Sequence, residues 1–165
     1  MRTLILMRHA KSDYPAGVPD RERPLSSRGE RDALAASAWL RSAFPVIDEV
    51  VLSPAMRARQ TWAVLEPSLG ARTMRIDPRV YEEWGAHLPA VLADMDPMSR
   101  TAMIVGHNPG VEEFALALCR GDGPACERIR DKFPTAGIAV ISMRGEWRDQ
   151  SSAEVALFAV PRASG

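Results

Sequence analysis

The chain has 165 residues, with 21 basic side chains balanced by 21 acidic ones. That length suits one domain spanning residues 1–165, and the balance leaves no net field to draw it to nucleic acid or a charged membrane surface. A chain of this size can bury roughly two-thirds of its unfolded surface, so its stability requires neither a metal nor a covalent staple.

Residues 3–7 (TLILM) form a short apolar run, the pattern of a strand covered on both faces. Residues 10–25, rich in Pro, Asp and Gly, predict a long surface loop, and loops of this length often carry function. Ser27 to Glu30 fits a capping box that opens a helix through "RDALAASAWLRSAF", which Pro45 stops. "EVVL" at 49–52 predicts a second strand. Ser53 as N-cap and Pro54 at the first helical position then open a helix that ends near residues 67–70.

"RTMRID" reads as a third, weaker strand, and residues 79–96 as an acidic turn and a modest helix. "TAMIV" at 101–105 predicts a fourth strand, after which Asn108 caps and Pro109 starts the helix "VEEFALALC". Beyond a Gly/Pro loop, "GIAVISM" and "EVALFAV" predict a hairpin at one sheet edge, and the residues after Val160 a frayed tail. The alternation predicts an α/β fold of three layers, αβα, with a mostly parallel sheet and helices on both faces.

Cys119 and Cys126 lack the spacing and the partner pair of a zinc site. Two reduced thiols are expected, with a disulfide left open. No stretch approaches the roughly 20 apolar residues of a transmembrane helix, and the run behind Arg2 is too short for a signal peptide. A cytoplasmic location without membrane contact is the expectation.

In open α/β sheets ligands bind beyond the carboxyl ends of the strands. Three polar clusters fall there: Arg8-His9 after the first strand, Ser53-Pro54 with Arg57 after the second, and Gly106-His107-Asn108 after the fourth. Two guanidiniums match the oxygens of a phosphate, and helix N-termini add N–H donors. No Walker-type glycine loop is present, which argues against a nucleotide triphosphate. A neutral imidazole can attack phosphorus. A hydrogen bond from one nitrogen of His9 to a backbone carbonyl would leave the other lone pair free, and His107 would donate to a phosphoryl oxygen. Metal binding by the histidines is disfavoured beside two cationic arginines, so neither metal nor cofactor is expected. His87 reads as a surface residue, and Glu112 and Glu113 as carboxylates suited to a first helical turn.

The motifs "LMRHAKS", "RPLSSRGERDA", "LSPAMRARQT" and "VGHNPGVEE" together resemble the histidine phosphatase superfamily, also called phosphoglycerate mutase-like, and within it the small SixA-type phosphohistidine phosphatases. The resemblance implies that His9 is the phosphorylated nucleophile, that Arg8 and Arg57 bind the phosphoryl group, and that His107 completes the pocket. Asn108 and Lys11 fall at its rim, and Arg23 to Leu25 with Arg28-Gly29 serve loop packing. Larger relatives use an acidic residue to protonate the leaving group, and the candidates here are Glu82 and Glu83, with Glu82 the better fit to the pattern. A phosphoramidate leaves as an easily protonated imidazole, so a dedicated acid matters less for it.

The expected partner is a phosphorylated protein or a small phosphate ester, acted on by a monomer or weak homodimer. Phosphohistidine in a protein is favoured because the short chain leaves the groove open. The alternatives are a phosphatase of small esters and a non-catalytic phosphate-binding module.

Overall fold

A computed structural model describes residues 1–164. The first apolar run is strand β1 (Arg2–Arg8), whose residues 4–7 are fully buried. Its side chains alternate between two cores. Leu4 and Leu6 enter one cluster, Ile5 and Met7 the other, as the two-residue period of a strand requires. The helix α1 (Ser27–Ala43) follows, then β2 (Val46–Leu52), α2 (Met56–Leu65) and β3 (Gly70–Ile76). The chain continues through α3 (Leu88–Ala93), β4 (Thr101–Gly106), α4 (Gly110–Ala117) and α5 (Pro124–Asp131), and ends in β5 (Ile138–Met143) and β6 (Glu154–Ala159).

The six strands form one sheet in the order β3-β2-β4-β1-β5-β6. The pairs β3-β2, β2-β4 and β4-β1 are parallel, and β1-β5 and β5-β6 antiparallel, so the last two strands form the expected hairpin at one edge. Ala33, Ala36 and Leu40 of α1 pack with Trp62 and Leu65 of α2 on one face. Leu88, Val91, Val111, Phe114 and Ile129 of α3, α4 and α5 cover the other.

Local chemistry moves three helix starts. Ser26, not Ser27, caps α1, accepting from the Gly29 amide at 3.0 Å. Ser53 accepts from the Ala55 amide at 3.1 Å in a tight turn, and α2 begins only at Met56. Asn108 spends its amide elsewhere, and α4 begins at Gly110, after Pro109. The tail is not frayed: Arg162 donates to the Thr135 carbonyl at 3.1 Å and lies 3.8 Å from the buried Asp32 carboxylate. The cysteines are not free thiols. Cys119 and Cys126 form a disulfide that ties the residues after α4 to α5. Closing so short a loop stabilises the chain by about 2 kcal/mol through the unfolded state. No described helix is long and apolar enough to cross a membrane.

Candidate active site

Strand register assembles the site. Arg8 pairs with Gly106 across β1 and β4, and Leu52 with Val105 across β2 and β4. The ladder then runs one residue past the strands. The His9 amide donates to the Gly106 carbonyl at 3.0 Å, and the Ser53 amide to the Val105 carbonyl at 3.1 Å. His9, His107 and Ser53 are therefore neighbours at the carboxyl edge of the sheet, and the two imidazole centroids lie 5.0 Å apart. A cavity of about 290 Å³ opens there, lined by Arg8, His9, Lys11, Arg57, His107 and Asn108, together with Asp20, Arg23 and Trp84.

His9 is buried, and its Nδ1 lies 2.7 Å from the Ala10 carbonyl. A carbonyl can only accept, so Nδ1 carries the proton and Nε2 the lone pair. Arg57 Nε donates to that Nε2 at 3.3 Å. The Arg57 fork is otherwise filled by Asp20: Nη1 donates to its carbonyl at 2.7 Å and Nη2 to its carboxylate at 3.1 Å. Thr61, one turn along α2, donates to the Arg57 carbonyl at 2.7 Å and accepts from the Ala10 amide at 3.0 Å. The helix that carries the arginine is thereby tied to the residue after the histidine.

Around Asp20, Tyr81 donates from its hydroxyl at 2.8 Å and Arg23 from Nε at 3.0 Å. Burial alone would raise this carboxyl, but the hydrogen bonds from Tyr81, Arg57 and Arg23 hold it at about 2. Asp20 stays ionised at neutral pH and cannot donate a proton; it anchors Arg57 instead.

His107 Nε2 lies 2.6 Å from the Ser53 hydroxyl, while its Nδ1 is buried without a partner. Arg8 Nε is likewise buried and unpartnered, and Arg8 Nη1 donates to the Phe133 carbonyl at 3.1 Å. Asn108 donates to that carbonyl at 2.9 Å and to Glu112 at 3.1 Å. Asn108 thus helps hold the turn beneath Arg8, and Glu112 has a partner that its place in a helical turn does not disclose. Lys11 is exposed at the mouth.

Glu82 is not brought into this cavity. It is exposed, and with Glu83, Tyr81 and Trp84 it lines an adjoining groove; the carboxylate in the cavity wall is Asp20. Asp20, Tyr81 and the pairing of Ser53 with His107 escape sequence reading. The one signal for Asp20 was the length of the loop that holds it.

Both imidazoles are kept neutral. Burial, the facing His107 ring and the Arg57 and Arg8 guanidiniums hold His9 well below 6.5. Burial and the Arg57 and Arg8 charges bring His107 down to about 3. Below pH 6.5 the unfolded chain therefore binds protons that the folded chain refuses, so stability falls as pH falls toward the folded values. The full slope is about 1.4 kcal/mol per pH unit for each histidine. Thermal melts between pH 7 and 5 should show a declining Tm, with a shallower decline in His107→Gln. An equal slope in native and variant chains would refute this account.

Ser53 sets the orientation of His107. The Ser53 hydroxyl, which also accepts from the Ala55 amide, holds His107 Nε2 at 2.6 Å. Ser53→Ala is expected to lower kcat about tenfold with little change in KM, since an orienting partner is lost rather than a binding group. A rise in KM alone would point instead to direct substrate contact.

Comparison with known proteins gives the family. Residues 4–142 match the model of the histidine phosphatase superfamily (branch 1). An uncharacterised Mycobacterium tuberculosis protein is 41% identical over 164 residues, covering 94% of this chain and 100% of its own length. A solved chain from Nakamurella multipartitia, assigned by name to the phosphohistidine phosphatase SixA, superposes with a TM-score of 0.85 at 34% identity, covering 97% of this chain and 96% of that one. The protein histidine phosphatase SixA solved with tungstate gives 0.73 at 23% identity, covering 96% and 97%, a likeness that carries the fold. By the match over most of its length and by this kinship, the chain belongs to the histidine phosphatase superfamily.

Proposed function

We propose that the chain is a metal-independent phosphatase that takes a phosphoryl group from phosphohistidine on a partner protein, carries it on His9 and gives it to water. The observation that supports this most is the state of His9. Its Nδ1–H is committed to a backbone carbonyl and its Nε2 lone pair faces the buried Arg57. The imidazole is neutral and oriented before any substrate arrives, as a nucleophile must be.

An incoming phosphoryl group competes with Nε2 for the Arg57 N–H and enters a cavity lined by Arg8 and His107. Phosphoryl transfer needs positioning and charge stabilisation above all, and these groups supply both. Attack by Nε2 makes the His9 ring cationic, and the Ala10 carbonyl on Nδ1–H stabilises that charge. Water then attacks phosphorus, the bond to Nε2 breaks, and the neutral ring is restored with release of dihydrogen phosphate. The site holds three arginine side chains, a setting that opposes a divalent cation. A location inside the cell belongs to this reading, although the Cys119–Cys126 bridge is unusual where thiols are kept reduced.

The test is a phosphohistidine peptide presented in excess chelator. The expected result is release of phosphate together with an acid-labile phosphoryl label on His9 that is absent from His9→Ala. A label on another residue, or turnover that requires an added divalent ion, would overturn the reading. Turnover of a small phosphate ester with no turnover of the peptide would replace the substrate class.

A further inference from the structure

Residues 83–85 adopt three successive left-handed conformations, with φ of 46° at Glu83, 57° at Trp84 and 86° at Gly85. Side-chain-bearing residues rarely take this conformation, and it persists only where the surroundings enforce it. Here the enforcement is a glycine contact. A Cβ on Gly85 would lie 3.0 Å from the Gly110 Cα, and a Cβ on Gly110 would strike the Trp84 carbonyl. The turn is therefore pressed against the first residue of α4, the helix that follows His107. It leaves Trp84 65% exposed at the mouth of the catalytic cavity.

Trp84 is shared by two depressions. One is the cavity with the histidines; the other is the groove of Tyr81, Glu82, Glu83 and Trp84. Tyr81 of the groove donates to Asp20 of the cavity wall at 2.8 Å. Their chemistry differs. The inner cavity presents Arg8, Arg57 and Arg23, suited to a dianion, whereas the groove presents two carboxylates and two aromatic rings. The other aromatic faces at the mouth are already occupied: Arg23 sits 3.8 Å from the Tyr14 ring centroid and Arg21 5.7 Å from that of Tyr81. Among the described residues no guanidinium covers Trp84, the ring type that binds cations best.

We infer that this groove seats the leaving group, and that its chemistry selects a flat ring that is cationic when it reacts: the protonated imidazole of a phosphohistidine side chain. The inference rests on the proposed function and names what makes phosphohistidine the preferred substrate. A phosphorylated imidazole reacts best with its distal nitrogen protonated, because the bonding pair then returns to a ring that departs neutral. In the step, the P–N bond to the substrate ring breaks as the bond from phosphorus to His9 Nε2 forms. The positive charge moves from the substrate ring to the His9 ring, so proton count and net charge are unchanged. Glu82 and Glu83 favour the protonated substrate, and Trp84 stacks on it. Neither carboxylate needs to deliver a proton, which fits their place outside the inner cavity.

Two peptides of one sequence, carrying phosphohistidine or phosphoserine at the same position, separate leaving-group selection from flank binding. The readout is the ratio of their kcat/KM values. Trp84→Ala should lower the ratio about tenfold, mainly through KM for phosphohistidine, and Trp84→Phe should restore most of it. Glu82→Gln with Glu83→Gln should lower it about threefold, and more weakly in high salt. An unchanged ratio in Trp84→Ala, or a Phe variant no better than Ala, would overturn the inference. A native chain that is labelled at His9 by an aryl phosphate yet ignores the phosphohistidine peptide would also overturn it, while leaving a phosphatase. Failure of every phosphoryl donor to label His9 would reject the proposed function itself.

Discussion

Replacing His9 with alanine should lower turnover on the order of 10⁴-fold or more, with the fold intact. On the proposed mechanism the ring contributes to chemistry rather than to the sheet. Its polar contacts are the Ala10 carbonyl and Arg57 Nε, while the ladder bond to Gly106 is made by the backbone amide and survives the substitution. The second imidazole cannot take over. His107 Nε2 is engaged by Ser53, and its ring centre stands 5.0 Å from that of His9. Whatever activity remains comes from water attacking a phosphoryl group still held by Arg8 and Arg57. Steady-state hydrolysis of an aryl phosphate in chelator, with circular dichroism on the same sample, measures this. A folded variant that kept full activity would remove His9 from the reaction.

Arg57→Lys should cost 10²- to 10³-fold in kcat/KM, an effect on the order of losing a preorganised anion donor. Lysine keeps the charge but not the geometry. The native side chain donates from Nε to His9 Nε2 while Nη1 and Nη2 hold Asp20, and a single ammonium cannot serve positions set that far apart. Arg57→Ala removes the charge as well and leaves Asp20 with one cationic neighbour fewer, so its carboxyl rises from about 2. The same change removes a charge that holds both imidazoles down, so the acid limb of the pH–rate profile should move upward in Arg57→Ala and stay near its native place in Arg57→Lys. Equal acid limbs in both variants would show that Arg57 acts by packing alone.

Much of this architecture can be read from the sequence because it rests on local pattern. A run as short as TLILM, bounded by polar residues, fits a strand covered on both sides, and in an open α/β sheet polar groups just beyond such strands fall at the binding edge. Arg8, His9, Arg57 and His107 are legible for that reason, and all four line one cavity. What local pattern cannot show is which side chain answers which. Asp20 meets Arg57 and Tyr81 across 37 and 61 residues. Nothing periodic in the loop foretells either contact. Ser53 reads as a helix cap because serine before proline often is one, and it does bond a nearby amide; its bond to His107 needs β2 and β4 in register. Glu82 fits a family pattern, but the left-handed turn beside it sends that segment along the outer groove.

Strand β1, which ends at the residue before His9, is hydrogen-bonded on both edges, to β4 along one and β5 along the other. Its amides should be among the last to exchange with deuterated solvent, opening only when the whole molecule does. The proposed nucleophile thus sits beside the least yielding part of the chain, and gradual denaturation should extinguish hydrolysis in step with the loss of the sheet rather than ahead of it.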